Sequence, residues 1–360
     1  MLSLFLTALL LLPFSDWVHP RYDVVGYQDV CYGSARGFWS SYPCGHGDDF
    51  ATVYARRLPD LASMDKLELS MDVYVPEGDG NVSRPLLLMI HGGAFFNGDK
   101  AEEEYVGWCR HFASLGYVAA SVNYRLGFRP THNEIQRAGY RAVQDANAAI
   151  RFLLDQESLQ INQDCIFVAG TSAGAITALN LAFMRDEDRP HITRGGSLGD
   201  EGEIDSVGIH GGRSFTVKAV GNLWGAIQNL DMLDHSQAAV ISFHSIEDPI
   251  VPYVEGYPFQ EMLASVKKVK TALFDRMFGS YEINRRLKEM GRITELHTYE
   301  GGVHSIHLNK DGSLNEYYKE IQDRLAAFFA AVMEPEIPFF SEDKSKSDFL
   351  FVNYQKKFDK

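Results

Sequence analysis

The stretch "CIFVAGTSAGAITALNLAFM", residues 165–184, decides the fold. "CIFVAG" is a short apolar run, the pattern of a strand buried on both faces, and from Ala173 onward the spacing predicts a helix. Only Thr171 and Ser172 stand at the corner. Gly170 and Gly174 fit where a side chain would strike the packed strand or helix. Ser172 is then expected above the carboxyl edge of a parallel sheet, facing the free N–H groups of the helix's first turn. The same G-x-S-x-G pattern also suits an ordinary glycine-rich turn, so the rest of the chain must supply partners.

Working outward, short β-rich runs alternate with helical patterns from residue 66, the signature of an α/β fold with a mostly parallel central sheet and helices on both faces. Strands are predicted at 67–75, 85–90, 117–125, 165–170, 215–225, 238–244 and 293–300, and helices at 101–115, 134–157, 173–185, 259–275, 281–291 and 315–333. The first two strands, joined by the turn-rich "PEGDGNVSRP", are expected to form an antiparallel hairpin. This divides the chain into an N-terminal leader (1–15), an extension with a cysteine-bounded loop (16–65), the catalytic domain (66–333) and a C-terminal extension (334–360). The glycine-rich insertion 194–213 is expected to shape a pocket.

"LMIHGGAFFNGDK", residues 88–100, puts His91-Gly92-Gly93 directly after an apolar strand. The backbone N–H groups of Gly92, Gly93 and Ala173 are expected to converge on a developing oxyanion. A serine needs a base oriented by a carboxylate. "ISFHSIEDPIVPY" offers Asp248 and "HTYEGGVHSIH" offers His304, each in the loop after a strand and in the order Ser, Asp, His. Glu247 and His307 are their rivals. His91 is expected to support its loop, and His244 to face the sheet or a neighbouring loop. No His/Cys/Asp/Glu grouping has metal-site spacing and no dinucleotide or phosphate loop occurs, so no cofactor or metal is expected.

The 360 residues carry a formal charge of −14, which argues against nucleic acid as a partner. The apolar run 1–14 is too short to span a bilayer and sits where a signal peptide would, so export is expected and stable membrane insertion is not. Of the four cysteines, Cys31 and Cys44 bound a loop that a disulfide would stabilise, whereas Cys109 and Cys165 sit on apolar faces. Asn81-Val82-Ser83 is a sequon on an expected surface loop.

Together, strand-H-G-G-x-F, "VNYRLG", strand-G-T-S-A-G-helix, "EDPIVP" and "GGVHS" resemble the α/β-hydrolase superfamily over residues 66–333, most nearly bacterial carboxylesterases of the hormone-sensitive-lipase and feruloyl or acetyl-xylan esterase-like groups. The resemblance implies Ser172 as nucleophile, His304 and Asp248 as its partners, Gly92, Gly93 and Ala173 as oxyanion donors, and a small-molecule or glycan-linked ester as substrate. Ala94 stands where the family's loop usually has a third glycine. Three functions stay open at this point: a serine carboxylesterase, a serine exopeptidase of the same fold, and a catalytically inactive hydrolase fold that binds.

Overall fold

The computed structural model describes residues 17–43, 50–80, 83–195, 199–208, 214–259 and 273–333. The expected leader, Cys44, the sequon's Asn81 and Val82, most of the helix expected at 259–275, and the C-terminal extension lie outside them.

The sheet is built from β1 (Val24–Gly37), β2 (Asp65–Pro76), β3 (Arg84–Ile90), β4 (Val118–Val122), β5 (Ile161–Thr171), β6 (Ala219–Leu223), β7 (Ala239–Ser245) and β8 (Thr294–Tyr299). Their order is β1-β2-β4-β3-β5-β6-β7-β8. β1 with β2 and β2 with β4 pair antiparallel; from β4 onward every pairing is parallel. The central strands are apolar without alternation, as a sheet covered on both faces requires: six of the seven residues of β3 are buried.

The helices are α1 (Phe50–Arg57), α2 (Glu103–Ser114), α3 (His132–Leu154), α4 (Ala173–Phe183), α5 (Ser280–Glu289) and α6 (Glu316–Met333). One core joins the sheet to α3 and α4, and another joins it to α2 and α6 through Trp108, Phe112, Phe167 and Phe329.

All seven expected strands are present, with two corrections. β2 and β3 do not form a hairpin, because β4 lies between them and pairs with both. The segment given to an N-terminal extension contributes β1, which joins the main sheet. Cys31, on β1, is a free thiol, and its expected partner Cys44 lies outside the described residues. The described part of the 194–213 insertion does not line the main cavity. It packs on α3, where the Arg137 guanidinium meets Glu201 at 2.8 Å and Gln144 Nε2 donates to the Glu201 carbonyl at 2.8 Å.

Candidate active site

At the β5–α4 corner Ser172 has φ +51° and ψ −116°, a strained conformation for a residue with a side chain. Its N–H is anchored to the Leu223 carbonyl on neighbouring β6 at 2.9 Å. A Cβ on Gly170 would come within 2.5 Å of the Gly174 carbonyl carbon, and one on Gly174 would overlap the Ile90 carbonyl oxygen, so both glycines are required by the close passage of β3. The hydroxyl is thereby pushed off the sheet edge.

There it meets the two side chains expected from later loops. Ser172 Oγ lies 2.8 Å from His304 Nε2, and His304 Nδ1 lies 2.7 Å from Asp248 Oδ2 and 3.0 Å from Oδ1. Asp248 is fully buried, and its Oδ1 accepts the N–H groups of Ile250 at 2.8 Å and Val251 at 3.0 Å. Burial opposes its charge, but the His304 imidazole and hydrogen bonds from His244 and His304 outweigh burial and hold the carboxyl well below the usual range. The rivals fall away on position. Glu247 is exposed. His307 is buried, stacked on Trp224 at 5.0 Å between ring centres, and lies nearest to Glu104.

The loop after β3 is wound by three successive left-handed residues, Gly93 (φ +96°), Ala94 (φ +54°) and Phe95 (φ +60°). Sequence reasoning misassigned one donor here. The Gly92 N–H donates at 3.0 Å to the Tyr105 hydroxyl, itself 2.7 Å from Thr171 Oγ1, so it points into the protein and is not available to a ligand. Among the described residues none accepts a hydrogen bond from the N–H of Gly93, Ala94 or Ala173. Ala94 and Ala173 line the cavity beside Ser172. Ala94, rather than Gly92, is thus the neighbour of Gly93 whose N–H has no acceptor among the described residues.

His91 supports this loop as expected. It is fully buried, stacks on Tyr124 at 4.3 Å between ring centres, and has its Nδ1 2.8 Å from the Gly92 carbonyl oxygen. Burial pushes its pKa down to about 4, so the ring is neutral at ordinary pH. The Tyr124 hydroxyl holds the loop from the other side, donating to the carbonyls of His91 at 2.9 Å and Gly92 at 3.1 Å. That accounts for the tyrosine of "VNYRLG".

In front of Ser172 opens a cavity of about 980 Å³, walled by α1, α3, α4 and residues from 250–259 and 273–277. Its surface is mostly apolar, with Tyr54, Phe95, Phe128, Ile176 and Met277 among the wall residues. Phe95 lines it, whereas the neighbouring Phe96, Trp224 and Tyr253 are buried. Among the described residues no cluster of three or more His, Cys, Asp or Glu can hold a metal ion, and no helix is long and apolar enough to cross a membrane.

A sheet in the order above, with a strained serine after β5 and its hydrogen-bonded partners after β7 and β8, is the arrangement of the α/β-hydrolase fold. Residues 71–246 match the BD-FAE family. Gut esterase 1 of Caenorhabditis elegans is 32% identical over 102 residues, which cover 28% of this chain and 18% of that protein. Acetylcholinesterase of Electrophorus electricus is 25% identical over 187 residues, 51% of this chain and 27% of that protein. The chain thus spans less than a third of either relative. Among solved structures, Thermogutta terrifontis esterase 2 phosphorylated by paraoxon covers 76% of this chain and 92% of its own at 17% identity and a TM-score of 0.47. Esterase B from Lactobacillus rhamnosis covers 88% and 89% at 14% identity, also with a TM-score of 0.47.

Proposed function

We propose that the protein is a serine carboxylesterase acting on small-molecule esters through an acyl-enzyme. The observation that carries this reading is the unbroken array from Ser172 Oγ through His304 to Asp248, set at the wall of an apolar cavity. In the proposed reaction Ser172 Oγ attacks the ester carbonyl carbon while its proton passes to His304 Nε2. The carbonyl oxygen, now an anion, is received by the N–H groups of Gly93, Ala94 and Ala173. Collapse of the tetrahedral species breaks the bond to the alcohol oxygen, which leaves with the proton from His304. Water then repeats the sequence on the acyl-serine and releases the acid. Asp248 stays ionised throughout and stabilises the imidazolium.

The finer substrate reading, a short acyl or a plant-polysaccharide-linked acyl group, follows the family resemblance. A cavity near 980 Å³ is far larger than an acetyl group needs, which favours the bulkier, feruloyl-type end of that range. Export is proposed on the apolar run 1–14 alone.

Replacing Ser172 with Ala is expected to abolish hydrolysis of p-nitrophenyl butyrate and labelling by a fluorophosphonate while leaving the circular dichroism spectrum unchanged. Activity like that of the native protein in this variant would overturn the assignment. A side-by-side screen of acetyl, butyryl, octanoyl and feruloyl esters reads the substrate class.

A further inference from the structure

We propose that His244 is a positioning residue of this site: its Nε2–H holds Asp248 from behind, so that the carboxylate meets His304 in one geometry with its charge shared between two imidazoles. The inference rests on the ester-hydrolase reading above.

His244 ends the apolar run of β7, four residues before Asp248, and is fully buried. Its Nε2 lies 3.3 Å from Asp248 Oδ2 and 3.2 Å from the Val251 carbonyl oxygen. Both can only accept, so the proton sits on Nε2. With the proton on Nε2, Nδ1 accepts, and the groups around it are able to donate. Asn222 Oδ1 accepts the Gly225 N–H at 2.9 Å, which fixes that amide and leaves Nδ2 to donate to Ser242 Oγ and Ser280 Oγ, each at 3.0 Å. Ser280 Oγ, already an acceptor, gives its own proton to His244 Nδ1 at 2.7 Å. Donation therefore runs one way, from Asn222 to Ser280 to His244, whose Nε2–H faces both the Val251 carbonyl and the Asp248 carboxylate.

Asn222, Ser280 and His244 come from β6, the start of α5 and β7, and each is fully buried. A polar chain placed so deep is tolerable only when every member is satisfied, and satisfied chains hold one geometry. Asp248 is the member that gains. Its Oδ1 is occupied by the backbone of Ile250 and Val251; without His244, Oδ2 would have His304 as its one side-chain partner in a dry interior. The titratable groups facing the pair are His304 and Tyr253, whose ring stands edge-on to His244 at 5.6 Å while its hydroxyl lies 2.8 Å from Thr298 Oγ1.

The test uses the full chain with p-nitrophenyl butyrate. His244→Leu is expected to lower kcat roughly 10- to 100-fold with KM little changed, less than the roughly 10⁴-fold cost of losing the carboxylate in serine hydrolases. The acid limb of kcat/KM should move to higher pH, because a carboxylate relieved of one donor holds the His304 proton more tightly. His244→Gln, whose amide N–H reaches the place of Nε2–H, should restore most of both. Nitrogen-15 spectra of the native protein should show His244 as the Nε2–H tautomer. An acid limb unmoved in His244→Leu alongside a lowered Tm, or an Nδ1–H tautomer in the native protein, would overturn the proposal. If neither variant folds, the tautomer decides by itself. A native protein without esterase activity would overturn the function instead, and the tautomer would still judge this inference.

Discussion

The loops that follow β3 and β7 sit on the same edge of the sheet and treat their polar groups in opposite ways. After β7, Asp248 is buried and surrounded by donors: two backbone N–H groups, His304 and His244. After β3, three left-handed residues turn the N–H groups of Gly93 and Ala94 away from any described acceptor. The difference teaches what each loop is for. A charge that is permanent must be solvated by the protein before any ligand arrives. Donors meant for a charge that exists only briefly must be left unpaired, and the fold must hold them that way at its own expense.

The most severe way to break this comparison is to remove the permanent charge. Asp248→Asn keeps the shape but gives His304 an amide that can present the wrong group to Nδ1, and kcat is expected to fall by about 10⁴, read by steady-state kinetics with the same ester. Next comes the unpaired side. A Cβ on Gly93 would overlap the Asn97 carbonyl oxygen, at a position already left-handed. Gly93→Val should therefore displace the loop and lower kcat about 10²- to 10³-fold, the usual cost of one oxyanion donor, while fluorophosphonate labelling slows in parallel.

A third test separates the loops by pH. His91 is buried with its pKa depressed to about 4 from an ordinary value of 6.5. As pH falls below 6.5 the unfolded chain takes up this proton and the folded one does not, so stability is lost from pH 6.5 down to about 4. Between pH 7 and pH 5 the share of His91 in that loss is about 2 kcal/mol, and in urea titrations His91→Phe should reduce the loss by that amount, leaving the share of His111, which burial also depresses to about 4. Asp248 behaves differently: its depressed pKa adds stability that is complete above the ordinary carboxylate range and disappears only as pH falls below it. The smallest effect on catalysis belongs to Tyr105→Phe. It strands the Gly92 N–H and Thr171 Oγ1, so a loss of about 1 to 3 kcal/mol in stability is expected with kcat within a few-fold of native.

Much of this was legible because the parallel strands are continuous apolar runs and the glycines of the serine corner have a steric reason visible in the sequence. β1 was not. Its run "VVGYQDVCYGSARG" is half exposed, and two register shifts, at Tyr27/Val30 and Cys31/Gly33, erase the alternation that marks an edge strand. The false hairpin came from taking sequence neighbours for sheet neighbours, when β4 returns to lie between them. Gly92 was misread because its acceptor, Tyr105, comes from α2, 13 residues away, and no local pattern reports which way an N–H turns. His244 was expected to face the sheet or a neighbouring loop, and it does reach the loop after its strand; what the sequence did not mark is that Asp248 is the group it meets there. β1 apart, the sequence carried the element and the missing fact was a contact between elements.

The cavity wall has one further property. Its α1 side, with Ala51, Tyr54 and Ala55, belongs to no strand of the sheet; Val53 anchors it in the core, Tyr54 stacks on Phe96 at 4.8 Å, and the Arg57 guanidinium sits 4.3 Å from the centre of the Trp39 ring. None of these residues touches Ser172, His304 or Asp248. Selection at the cavity mouth is thus open to change through the side chains that α1 turns to it, with the reacting groups carried by separate elements.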